Sequence, residues 1–535
     1  MSSLVKKNPS LARSATLVSG LTLLSRVLGL VREQVFAALL GAGLYADAFL
    51  IGFRVPNLLR DLFAEGALSA AFVPTYAKSM EREGREAAHR LASRLLTVLL
   101  VVIAVVVLAG TLGAETLVRA LAAGFEQVPG KVAVATLLTR IMFPFLALVS
   151  ASVVAMGMLN AQERFGPPAF APAMFNAVTI TCGVVLWLAG FDGLAVAVGW
   201  ALATLLGGAG QLLVQLPSLW REGFRFRPEW APDDAGVRQV GALMLPATFG
   251  LAAVQINILV NSRFASQDPG AVAWISYAFR ILYLPIGIFG VALGTIAGAR
   301  LARRAAASDH AGMSEMLRQS LRMLAFLTVP ASVGLVVLRV PVVRLIYERG
   351  VFGPDDTRGT ADALLFYAIG LIAYNGVKVL APAFYALGSP RAPVAGSALA
   401  VVVNVAAVLL LHPVLGFTAV TLAITLGAAA NLVLLLVLAE ARLGGLLRGD
   451  LGWAVLRMGL AAAAMGLGVF WAAAALEARL GTATLAARLL EGLLPVVLGV
   501  LLYGAAAWLL RLEEAHELLV LVVSRLRSGR GAPAS

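Results

Sequence analysis

A chain of 535 residues that is 60% hydrophobic and only 13% charged, with a mean hydropathy of +0.89, lies outside the range of a soluble domain, where charged residues run at about 25%. Most of its mass therefore belongs in lipid. The formal charge of +13 does not argue for nucleic acid, because the basic residues alternate with apolar runs and so mark helix ends. The single cysteine, Cys182, excludes an intramolecular disulfide.

Residues 1–13 form a short basic N-terminus. The first apolar stretch carries Arg26 and Arg32 and has no small-residue cleavage site, so it reads as a membrane span and not as a signal peptide. Apolar windows punctuated by Gly, Pro and charge predict about fourteen transmembrane helices. They fall at residues 14–41, 45–77, 95–118, 134–161, 169–190, 193–217, 238–262, 271–299, 319–341, 360–387, 393–413, 415–439, 452–475 and 486–510. The expected fold is all-α and polytopic.

Lys6, Lys7, Arg13, the stretches 78–94, 221–238, 300–322 and 442–457, Arg164, Arg391 and the C-terminal tail fall on one side, and together they take most of the 42 Lys and Arg. Basic residues resist translocation, so that side is cytoplasmic and holds both termini, which requires an even number of spans. The loops are too short for a separate extracytoplasmic catalytic domain. The tail, residues 511–535, sets Leu512, Leu518, Leu519 and Val522 against Arg525 and Arg527; it reads as an amphipathic helix lying on anionic lipid.

An internal repeat adds a mechanism. Phe53-Arg54 before Pro56 is echoed by Phe279-Arg280 before Pro285, Pro168 by Pro393, and the lone amide Asn176 by Asn404, at offsets of 225 to 228. The near-constant register implies two pseudo-symmetric six-helix lobes in the same orientation, residues 14–217 and 238–441, joined by a cytoplasmic loop at 218–237 and followed by two further helices within 442–510. Lobes of that kind enclose a cavity and expose it to alternate sides by rocking, which favours a transporter over an enzyme.

A charge at mid-bilayer costs at least about 2.5–3.5 kcal/mol and usually faces water or a partner. Here such charges gather on a few spans: Arg26 and Arg32 beside Ser25 on the first, Asp47, Arg54, Arg60, Asp61 and Glu65 on the second, Arg280 on the eighth and Lys378 on the tenth. Seven helical residues turn through about 700°, so Asp47 and Arg54 share a face and line one wall, and Pro56 interrupts the helix next to them. Guanidinium groups hold phosphate oxygens in a bidentate fork, so the cationic excess points to an anionic, phosphorylated cargo. Snorkelling to the interface or pairing with Asp47, Asp61 and Glu65 is the competing reading, and for Arg54 and Arg60 both stay open. Ser25, Arg54, Glu65 and Lys378 are candidates for the cavity wall or a gate. No nucleotide-binding loop, nucleophile elbow or zinc spacing is present in the sequence, so no catalytic residue, cofactor or metal is expected.

The stretch Ser25-Arg26-Val27-Leu28-Gly29-Leu30-Val31-Arg32, with Asp47-Ala48-Phe49, Pro56-Asn57-Leu58-Leu59-Arg60 and Phe63-Ala64-Glu65-Gly66-Ala67, closely resembles the MurJ (MviN) family of lipid II flippases. Gly290 to Thr295 and Lys378 to Pro382 before Phe384-Tyr385 extend the match, which covers essentially the whole chain. The resemblance implies the fold of the multidrug/oligosaccharidyl-lipid/polysaccharide exporters, with a cationic cavity between the lobes and a groove at helices thirteen and fourteen for a polyprenyl tail. It implies that Arg26, Arg32, Asp47, Arg60 and Arg280 are the functionally sensitive charges, the arginines holding the pyrophosphate and headgroup of lipid II. It also implies a monomer among membrane lipids in a bacterial plasma (inner) membrane. An exporter of another polyprenyl-linked oligosaccharide, or of drugs, is the alternative on the same fold. The chain departs from the family pattern at Phe279 and Tyr283, where many relatives carry acids beside the arginine of span eight.

Overall fold

A computed structural model describes residues 9–61, 67–446, 451–518 and 520. The described residues contain helices and no strand, as a bilayer requires of a chain whose backbone must satisfy its own hydrogen bonds. In chain order the α-helices are α1 Pro9–Leu40, α2 Leu44–Arg60, α3 Ala67–Arg82, α4 Arg85–Leu112, α5 Ala114–Leu121, α6 Lys131–Met142, α7 Phe145–Ala161, α8 Gly166–Leu188, α9 Gly193–Leu213, α10 Leu216–Arg221 and α11 Ala235–Ala265. They continue with α12 Ala271–Pro285, α13 Ala292–Ala306, α14 His310–Val337, α15 Arg339–Tyr347, α16 Pro354–Ile369, α17 Leu371–Ala386, α18 Arg391–Leu415, α19 Thr418–Leu443, α20 Leu451–Leu480 and α21 Leu485–Leu509. A π-helical turn, Ile286–Val291, follows Pro285 and joins α12 to α13, the kind of irregularity expected where a proline removes a ladder donor.

Each of the fourteen expected spans falls on one helix or on two consecutive ones. Among the described residues ten helical stretches, single helices or consecutive ones such as α6 with α7 and α12 with α13, are long and apolar enough to cross a membrane, and α16 with α17, bent by 43°, make an eleventh. The other three are α1, α2 with α3, and α11, which carry Arg26 and Arg32, the charges from Asp47 to Arg60, and the amides Gln255, Asn257 and Asn261.

The chain divides into two compact units, one running to Ala273 and taking in Arg349–Gly353, the other comprising Trp274–Glu348 and the chain from Pro354 onward. The sequence repeat groups the seventh span with the second half, but α11 packs on α3, α4 and α5 within the first unit. Repeat register follows the pattern of residues along the chain, whereas unit membership follows which side chains are buried together.

In the first unit, Leu68, Phe72 and Tyr76 of α3 pack with Leu95 of α4 and with Leu146, Val149 and Val153 of α7. Glycines set the helix spacing. A Cβ at Gly157 would lie 2.8 Å from the Phe72 ring, and one at Gly110 would lie 2.1 Å from Phe143. Lipid is as apolar as a leucine side chain, so helix association in a membrane depends on such close approach. The loop before α11 is clamped by Arg94, which bonds Glu229 at 2.6 Å and Asp234 at 2.7 Å; Asp234 in turn caps α11 by accepting from the N–H groups of Gly236 and Val237.

The second unit is organised around α14. One of its faces, with Leu317, Leu321 and Leu324, packs on α13, α17 and α19. Phe326 and Val329 meet Met458 and Met465 of α20 and Tyr503 of α21, whose hydroxyl donates to the Phe326 carbonyl at 3.0 Å. The start of the C-terminal tail docks here: Leu512 is buried, and Arg322 bonds Glu513 at 2.9 Å and Glu514 at 2.5 Å. Leu519, Val522, Arg525 and Arg527 lie outside the described residues.

Helices α18 and α19 approach so closely at Gly427 that a Cβ there would stand 2.5 Å from the Ala400 carbonyl oxygen. Gly427→Ala is therefore expected to lower stability by about 1–3 kcal/mol through overpacking. Gly459→Ala, on α20 with nothing within 4 Å of the new methyl, is expected to be neutral or slightly stabilising. Thermal midpoints of the two purified variants in detergent test this, and equal midpoints would refute the close approach.

Candidate functional site

The first unit presents the arginines of α1. Ser25 and Arg32 are seven residues apart and so share a face, and both meet α8. The Ser25 carbonyl accepts a hydrogen bond from the Asn176 side-chain amide at 3.0 Å. The Arg32 guanidinium carbon lies 5.3 Å above the Phe175 ring, and its Nη2 lies 2.5 Å from Oε1 of Glu33. Phe175 is itself fixed against Phe145, with ring centroids 5.9 Å apart. The Arg32 charge is thus held on an aromatic face and partly answered by its own neighbour. Arg26 is exposed and makes no hydrogen bond or ion pair with the described residues.

Asp47 on α2 is different in kind. Its carboxylate has no exposed surface. It accepts from Lys131 Nζ at 2.7 Å and from the backbone N–H groups of Gly270 at 2.8 Å and Ala273 at 2.9 Å. Those two donors belong to the start of α12, whose first turn has no partners of its own for them. Asp47 is therefore an N-cap supplied from 223 residues away, placed where a helix dipole favours negative charge. Gly270 has φ +89°, a conformation that only glycine adopts without strain. Lys131, 1% exposed, rests 4.3 Å from the centre of the Phe125 ring on its other side. Nearby, the end of α1 is tied to the Arg349–Gly353 segment by the Val351 N–H donating to the Ala38 carbonyl at 2.9 Å.

The wall expected from Asp47 and Arg54 together is therefore not formed. Arg54 is half-buried further along α2, while Asp47 is enclosed, because a carboxylate with three donors converging on it gains more from them than from an open face. Arg60 ends α2 with its Nη2 2.8 Å from Asp61. Glu65, expected at a gate, lies outside the described residues.

In the second unit Arg280 is exposed on α12, between Phe279 and the exposed Tyr283. Lys378 is exposed on α17, and its main chain is approached by Gly294, where a Cβ would lie 2.5 Å from the Lys378 carbonyl oxygen. Residues that sequence reasoning passed over are Glu33, Lys131 and Phe175. Lys131 left a trace, a single lysine directly after Gly130 at the head of an apolar run; Phe175 left none, being one apolar residue among many.

Compared with known proteins, residues 36–491 match the family described as lipid II flippase MurJ. The chain belongs to the MurJ family. It is 36% identical over 432 residues to the lipid II flippase MurJ of Burkholderia cenocepacia, covering 80% of this chain and 83% of that protein. It is 34% identical over 433 residues to the probable lipid II flippase MurJ of Vibrio cholerae, covering 79% and 82%. Among solved structures, a lipid II flippase MurJ in an inward closed conformation superposes with a TM-score of 0.74 at 22% identity, over 92% of this chain and 98% of the other. A multidrug resistance MATE family transporter of the MOP superfamily gives 0.65 at 17% identity, over 81% and 98%. The fold is that of a MurJ or MATE-like transporter, and MurJ family membership makes this chain a multi-span transporter of the inner membrane and not an enzyme.

Removing one partner of a buried ion pair leaves the other uncompensated, at a cost of about 3–5 kcal/mol. Asp47→Ala and Lys131→Met are each expected to destabilise the protein to that degree, and the double variant by clearly less than the two together. Thermal unfolding of the three purified variants measures it; additive losses would mean that the pair is not coupled.

Proposed function

We propose that this chain moves lipid II from the cytoplasmic to the outer leaflet of the plasma membrane by alternating access, acting as a single copy with both termini in the cytoplasm. The observation that carries the reading is the set of arginines exposed or half-exposed on membrane-spanning helices, Arg26 and Arg32 in one unit and Arg280 in the other, in a chain of the MurJ family. Exposed guanidinium groups within a span call for water and an anion, and a pyrophosphate offers oxygens for several bidentate contacts. In this mechanism the headgroup enters from the cytoplasmic side and displaces Glu33 from Arg32. The units then change the side to which the arginines are open, while the polyprenyl tail stays in lipid. Asp47 takes part as the latch on the first turn of α12 and not as a headgroup ligand, and Arg60 joins the headgroup set by exchanging Asp61 for phosphate. Export of another polyprenyl-linked oligosaccharide would use the same cations and is separated by the cargo test.

In a bacterium depleted of its own lipid II flippase, expression of this chain is expected to restore the lipid II that an externally added cleaving enzyme can reach. Arg26→Ala and Arg32→Ala are expected to abolish that signal while still inserting in the membrane. No restoration by the inserted wild-type chain would refute lipid II as the cargo, and normal flipping by both variants would refute the arginine assignment. Phe175→Leu keeps bulk but removes the ring beneath Arg32. It is expected to slow flipping several-fold, in line with the roughly 0.5–2 kcal/mol of a cation–π contact, and Phe175→Trp is expected to retain the rate.

A further inference from the structure

We propose that Phe279 and Tyr283 form an aromatic shelf on which the sugar rings of the lipid-linked headgroup stack, beside the arginine that takes its phosphate. This rests on the lipid-linked cargo argued above. The two residues are four apart on α12, with ring centroids 6.0 Å apart, and Phe279 is held edge-on by the buried Tyr367 of α16 at 5.8 Å. At 100° per residue, Phe279, Arg280 and Tyr283 fall within one arc of about 100°. All three are exposed, Phe279 by 41% and Tyr283 by 52%.

That arc lies deep in the span, since Tyr283 stands twelve residues, about 18 Å, from the start of α12. Two observations say that it faces water and not hydrocarbon. An exposed guanidinium at that depth is costly against lipid. The Tyr283 hydroxyl makes no hydrogen bond with the described residues, and a phenol turned into hydrocarbon without one would also be costly. An aromatic pair left facing water gains by being covered, and the ligand must suit both ring faces and a phosphate site. A pyranose does: its C–H face meets the electron-rich ring, and its hydroxyl and amide edge meets the Tyr283 hydroxyl. Two linked pyranoses place one ring over each aromatic, with the anomeric phosphate toward Arg280.

The test compares two ligands on the full-length protein in nanodiscs: lipid II, and the polyprenyl pyrophosphate that lacks the sugars. The F279L/Y283L double variant is expected to weaken lipid II binding about tenfold, as two lost ring contacts imply, and to leave polyprenyl pyrophosphate unchanged. Rings restored by F279W/Y283W are expected to recover the lipid II affinity. R280A is expected to weaken both ligands. Wild-type affinity for lipid II in the double leucine variant would overturn the shelf, as would an equal loss for both ligands, and R280A would show in the same experiment whether the phosphate reading still holds. If the wild-type chain binds neither ligand, the functional reading fails first and the shelf with it.

Discussion

A charged group inside a membrane protein has to find either water or a full set of partners, and the arrangement of this protein follows from which of the two each charge finds. Asp47 finds partners. One ammonium and two backbone donors converge on its carboxylate, and the result joins α2, α6 and the first turn of α12. Lys131 is answered on its other side by the Phe125 ring. Such a pair contributes little net stability over a well-packed apolar substitute, but it cannot lose one member without a large penalty.

The arginines of α1 find the other solution. Arg32 is held by a neutral aromatic face and a single adjacent carboxylate, a setting that fixes position without using up the charge. Arg26 and Arg280 keep exposed surface. At Arg32 this compensation is incomplete: enough contact to preorganise the guanidinium, too little to satisfy it. Aromatic residues accompany the arginines within each unit, Phe175 beneath Arg32 in the first and the Phe279–Tyr283 pair beside Arg280 in the second.

Close helix approach makes these positions reproducible. Where the helices contact through glycine, as at Gly157 against Phe72 and Gly427 against the Ala400 carbonyl, the spacing is set by atoms that cannot move aside. The π-helical turn after Pro285 leaves one irregular place in the eighth span, directly beyond the Tyr283 turn, where the ladder is already loosened.

The sequence by itself determined the all-helical class, the positions of the spans and which spans carry charge, because hydropathy and charge are properties of residues in order along the chain. It also carried the family, through the run from Ser25 to Arg32 and its companions. What it left undecided was partnership. Nothing in the order of residues joins Asp47 to Lys131 and to the backbone of Gly270, since those donors meet only when three helices pack; helical periodicity alone put Asp47 on a wall with Arg54. Unit membership of α11 and the docking of Glu513 and Glu514 on Arg322 were likewise decided by tertiary contact. Periodicity says which residues share a face, but only packing decides whether that face meets water, lipid or another charge.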